Sequence, residues 1–196
     1  MAEPVPCPAP SRAELLRLLR ARLPEPWPAL RVVADELLAA ETAIDWVAAD
    51  AQGSAVAVLV GEAGRDVELV GRALAHRAWL EPRLRAWVQL AAPGALRPEA
   101  GVRALVLCPA FGAEALAAAS AGGGAVSLGV YRCVRDGTGL HVLLEPLGAP
   151  AGVAAREPAA ALPEPFRTRL TDRDLGLGND DPSEVEPLAS SAAARR

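Results

Sequence analysis

The sequence predicts an α/β domain, a mixed central sheet flanked by helices, followed by a disordered C-terminal tail. Three observations lead there. Apolar runs of strand length over 43–49, 54–60, 102–108, 126–134 and 140–145 are interleaved with segments of helical spacing. The run over 54–60 is apolar throughout, as in a strand covered on both faces. From about Gly148 the aliphatic periodicity stops, and Pro150, Pro158, Pro163, Pro165, Pro182 and Pro187 follow in a segment that lacks the apolar stripe a fold needs.

Each element has a local reason. Ser11-Arg12-Ala13-Glu14 is a capping box, in which the serine hydroxyl accepts the Glu14 N–H and the glutamate reaches back to the Ser11 N–H. Behind it Leu15, Leu16, Leu18, Leu19 and Leu23 alternate with Arg12, Arg17, Arg20 and Arg22, a basic amphipathic helix of about three turns. The proline cluster over 24–28 ends it and reads as a stiff connector. A second helix is expected over 29–40, with Leu30, Val33, Leu37 and Leu38 on its buried side. Strands over 43–49 and 54–60 are joined by the turn Asp50-Ala51-Gln52-Gly53. Residues 66–79 return to helical spacing, with Val67, Val70, Leu74 and Ala78 on one side and a Glu68/Arg72 pair on the other. Pro82 interrupts that helix, and 84–90 adds a short further piece. After a strand over 102–108, Pro109 is expected to open a helix that Gly122-Gly123-Gly124 stops, and two last strands meet around Asp136-Gly137. The boundaries that follow are a leader with helix and connector over 1–28, a domain over 29–147 and a tail over 148–196.

Composition narrows the chemistry. The chain has 196 residues, 52 % of them apolar and only 4 % aromatic, so the core is small-residue packing anchored by a few tryptophans. All 20 basic residues are arginine, which removes any mechanism that needs a lysine of this chain. The net charge of −4 supplies no global field toward nucleic acid or anionic lipid. No signal peptide and no apolar run long enough to span a bilayer is read, so a cytoplasmic protein with no membrane contact is expected. Cys7, Cys108 and Cys133 lie far apart with no C-x-x-C pair, and His76 and His141 make no ligand cluster with them; Cys108 and Cys133 read as buried free thiols.

One constellation carries a resemblance. Ile44-Asp45-Trp46 stands in a strand after a helix ending at Glu41. A glycine turn leads to the central apolar strand, a helix containing Arg72 and His76 follows, and then comes Val102-Arg103-Ala104-Leu105-Val106-Leu107. This order resembles the PD-(D/E)XK nuclease superfamily, with its restriction-endonuclease-like core, and in particular the small bacterial and archaeal endonuclease-like branch, over about residues 29–134. The resemblance implies that an aspartate and the glutamate of a Glu-x-Lys motif hold Mg²⁺, which polarises the phosphate and activates water. On this chain Asp45 matches the metal aspartate and Glu41 the upstream acid. The Glu-x-Lys positions fall on Leu59, Val60 and Gly61, neither a ligand nor a cation.

The expectation is therefore a degenerate nuclease-like domain that is not an enzyme, acting as an interaction or assembly component without a cofactor. A protein partner is expected, through the leucines Leu15 and Leu19 of the basic helix and a short motif around Phe166 in the tail. Two alternatives stand beside it. One is a Mg²⁺-dependent endonuclease using Asp45, Glu41 and Glu62. The other is nucleic-acid binding without cleavage, through Arg65, Arg72, Arg77, Arg83 and Arg85. Against the latter, in a net acidic protein the arginines read first as a charged outer helix face of ion pairs, and His76 reads as a solvent-facing or core-satisfied histidine before it reads as a base. Self-association stays open.

Overall fold

A computed structural model describes residues 4–39, 42–91 and 95–148, which lie in one compact unit. Its elements in chain order are β1 (Val5–Pro6), α1 (Arg12–Arg22), β2 (Arg31–Leu38), β3 (Ala43–Ala49), β4 (Ala55–Val60) and α2 (Asp66–Leu80). A 3-10 turn (Glu81–Arg83) leads into α3 (Leu84–Ala91), and a second one (Pro98–Ala100) precedes β5 (Val102–Cys108). The unit closes with α4 (Ala113–Ala121), β6 (Val126–Asp136) and β7 (Gly139–Leu147). The fold class is the one the sequence predicts. A seven-stranded mixed sheet runs β2-β3-β4-β5-β6-β7, with only the β4–β5 and β5–β6 pairs parallel. The short β1 pairs with Val134 and Arg135 of β6, beyond the reach of β5.

Two cores follow from the two faces of the sheet. One gathers Val47, Ala57, Leu59, Ala104 and Val106 against Leu69, Val70 and Ala73 of α2, Leu84 and Val88 of α3 and Ala115 of α4. The other gathers Trp46, Val56, Val58, Leu105, Leu107 and Tyr131 against Leu15, Leu19 and Leu23 of α1. Every residue of β4 is buried, which is what its unbroken apolar run requires.

Two expectations are corrected here. The segment 31–38 is a strand, antiparallel to β3, where the spacing predicts a helix. The register slips between Val32 and Ala34, and Glu36 takes φ 46°, so the period of two is broken. Leu30 and Val32 then pack toward one core and Val33, Ala34 and Leu37 toward the other, and that mixture imitates a helical stripe. The second correction concerns α1. Leu15 and Leu19 are 4 % and 0 % exposed, so the helix closes one face of the sheet and does not present those leucines to a partner. A smaller difference is that α4 starts at Ala113, after Gly112 as its cap, and not at Pro109. Glu41, Phe166 and the tail expected over 148–196 lie outside the described residues, apart from Gly148.

Candidate anion-binding cleft at the end of β4

The end of β4 lies where the sheet changes character, with antiparallel β3 on one side and parallel β5 on the other. Five side-chain and main-chain bonds fasten this end. The Asp45 carboxylate accepts the Val60 N–H at 2.8 Å through Oδ2 and pairs with Arg12 Nη2 at 2.5 Å through Oδ1. The other arm of the same guanidinium donates to the Val60 carbonyl at 3.3 Å. One residue on, Gly61 donates its N–H to Leu107 of β5 at 2.8 Å and accepts the buried Tyr131 hydroxyl of β6 at 2.8 Å. Burial raises Tyr131 to about 12, so it stays a neutral donor.

The positions carried over from the nuclease pattern can now be placed. Leu59 is 1 % exposed in the core under α2, not beside Arg12. A side chain at Gly61 would force Leu69 and Cys108 to shift, because a Cβ there would stand 2.5 Å from Leu69 Cδ2 and 2.9 Å from Cys108 Sγ. Asp45 is the third residue of β3, and its carboxylate is engaged by Arg12 and Val60. Among the described residues, no group of three or more His, Cys, Asp or Glu side chains is gathered so as to hold a metal ion.

Above this end is a cavity of about 280 Å³ lined by Arg12, Val60, Gly61, Glu62, Arg65, Glu68, Leu69 and Arg72. The loop after β4 and the first two turns of α2 deliver six of these, the last residue of β4 delivers Val60, and the first residue of α1 delivers Arg12. Arg65 is bound by Glu68 at 2.7 Å, which holds that carboxyl below its usual range and the guanidinium above its own. Arg72 differs: its Nε is buried with no hydrogen-bond partner among the described residues. A buried donor left unmatched marks a place where an acceptor would be favoured.

The other arginines named from sequence lie apart from this cavity's lining. Arg77 donates to the Val102 carbonyl at 2.9 Å and pairs with Glu81 at 3.4 Å. Arg83 donates to the Trp79 carbonyl and lies 4.8 Å from the centre of its ring, and Arg85 is exposed on α3. His76 is 5 % exposed and hydrogen-bonds the Thr42 hydroxyl at 2.9 Å. Burial, and then Arg72, lower its pKa, with Asp45 pulling the other way. Sequence reading missed Arg12 as a site residue. Its signal was read only as helix-face charge, and nothing local shows that the helix start returns to β4.

No family model matches the chain, and no curated protein matches it. Two solved structures are similar to it. One is a complex of EndoMS with double-stranded DNA, at 16 % identity and TM-score 0.43, covering 62 % of this chain and 46 % of that one. The other is a repair endonuclease from Pyrococcus abyssi, at 12 % identity and TM-score 0.44, covering 63 % and 48 %. The chain thus spans less than half the length of either. These comparisons correct the expectation that the chain is not an enzyme, since one of the two similar structures is a repair endonuclease.

Proposed function

We propose that the protein binds nucleic acid by its phosphate backbone in the cleft at the end of β4. The observation that carries this reading is the convergence of three arginines, Arg12, Arg65 and Arg72, on the lining of one cavity. A guanidinium presents donors in a planar fork that suits phosphate oxygens, and its outer nitrogens can meet an anion while the Nε of Arg72 stays buried. Arg12 keeps Asp45 neutralised beneath the site, so the carboxylate does not repel the phosphate. Glu62 and Glu68 line the same cavity and limit the contact to a few phosphates. Binding is then salt-sensitive but shallow in slope, about one power of salt for each phosphate held.

Fluorescence anisotropy with labelled single-stranded and duplex DNA and RNA tests it. Saturable binding that weakens at least about tenfold in Arg72→Ala, as expected for the loss of a charge-assisted contact, supports the reading. No binding, or equal binding by the variant, contradicts it.

A second reading, a Mg²⁺-dependent endonuclease, has one observation in its favour. Asp45 Oδ1 and the Val60 carbonyl converge on a single cationic group, the Arg12 guanidinium. Displacing Arg12 would leave a carboxylate and a carbonyl facing one point, with Glu62 near the same cavity. Metal-dependent cleavage by the parent protein that is lost in Asp45→Asn establishes this reading, and its absence with Mg²⁺ and Mn²⁺ removes it.

A further inference from the structure

Cys7 and Cys133 are far apart in the chain, yet the fold sets them face to face. β1 runs antiparallel to β6 with Val5 opposite Arg135 and Pro6 opposite Val134. One further step in that register puts Cys7 opposite Cys133, and the Cys7 N–H donates to the Cys133 carbonyl at 3.0 Å. Residues directly opposite in an antiparallel pair point to the same face. In agreement, Cys133 belongs to the core under α1 and Cys7 packs against that same core. A hydrogen-bonded antiparallel pair holds its Cα atoms about 5.5 Å apart, inside the roughly 4.4–6.8 Å that a disulfide spans. Cys108, fully buried, belongs to the core on the opposite face of the sheet, so it does not compete. Both Cys7 and Cys133 are free thiols here.

We propose that Cys7 and Cys133 are a modification site, a thiol pair that closes into a cross-strand disulfide by exchange with a small-molecule disulfide such as oxidised glutathione. Cys7 is only half-buried and reacts first. Its thiolate attacks one sulfur of the small disulfide, forms a mixed disulfide and releases one small thiolate. Cys133 then loses its proton to solvent, and its thiolate attacks Cys7 Sγ and expels the second small thiolate. Two protein thiols are oxidised to one disulfide while one small disulfide is reduced to two thiols. The bond staples the leader to β6. Pro8, Ala9 and Pro10 lead from it directly into Ser11 and Arg12, and fixed proline φ angles keep that path short of freedom. The staple therefore holds the start of α1, and with it Arg12, in place over Asp45.

Full-length protein is equilibrated with graded oxidised glutathione, alkylated and mapped by mass spectrometry without reduction. The expected product is a single intramolecular link between the Cys7 and Cys133 peptides, with Cys108 still a thiol and a rise in melting temperature on the order of 5 °C or more. Dithiothreitol reverses both. Cys133→Ala is expected to stop at a glutathione adduct on Cys7, and Cys7→Ser to give neither adduct nor link. A parent protein that stops at the Cys7 adduct, or that links only between molecules, overturns the proposal. Because the readout is the bond itself, this outcome is independent of whether the cleft binds nucleic acid.

Discussion

His76 shows how one buried side chain makes stability depend on pH. It is 5 % exposed, hydrogen-bonded to Thr42, and faces Arg72 on its own helix and Asp45 across from it. Burial and the arginine depress its pKa below the ordinary value of about 6.5. The unfolded chain therefore takes up a proton that the folded one refuses, and stability rises with pH through that window. The contribution is complete above the unfolded value and is lost as pH falls through it toward the folded one. Chemical denaturation between about pH 7.5 and 5 should show stability falling by up to about 1.4 kcal/mol per pH unit from this group. The slope should flatten in His76→Gln, and an unchanged slope in that variant contradicts the assignment. The same residue scale explains why the site was only partly legible. Asp45 is the third residue of β3, a strand read correctly. The partner that neutralises it, Arg12, comes from a helix 33 residues earlier. No local pattern encodes that pairing.

At the scale of elements, sequence and structure agree wherever one period dominates. β3, β4, β5 and α2 were legible because their apolar residues follow a single repeat with glycine or proline at the ends. β2 was not, because its bulge mixes two periods and sends apolar residues to both cores. The helix α1 was legible as a helix but not as core. Its basic face pairs locally, Arg20 with Asp35 of β2 and Arg22 with Glu25, while Leu15, Leu19 and Leu23 seal the sheet. Leu19→Ala should thus destabilise the whole unit by about 2–5 kcal/mol, the range for a leucine removed from a packed core. Urea denaturation checks this. A loss below about 1 kcal/mol would mean that α1 is dispensable for folding and would restore it as a contact element.

At the scale of the molecule, the two faces of the sheet converge on one end. The loop after β4, the start of α2 and the start of α1 meet there, while β5 and β6 hold Gly61 from the far side. The general class, a mixed sheet between helices, was readable from composition and periodicity. The cleft was not, because it is assembled by long-range pairing and not by a contiguous motif. This one end of the sheet is where the proposed phosphate backbone would be received. Hydrogen–deuterium exchange of the full chain with and without a saturating duplex DNA oligonucleotide locates the contact. Slowed exchange is expected at the amides of 60–72 and at the first turn of α1, with the far ends of β6 and β7 unchanged. Protection that falls on β7 or on the β2 edge, and leaves 60–72 as in the free protein, would contradict the proposal.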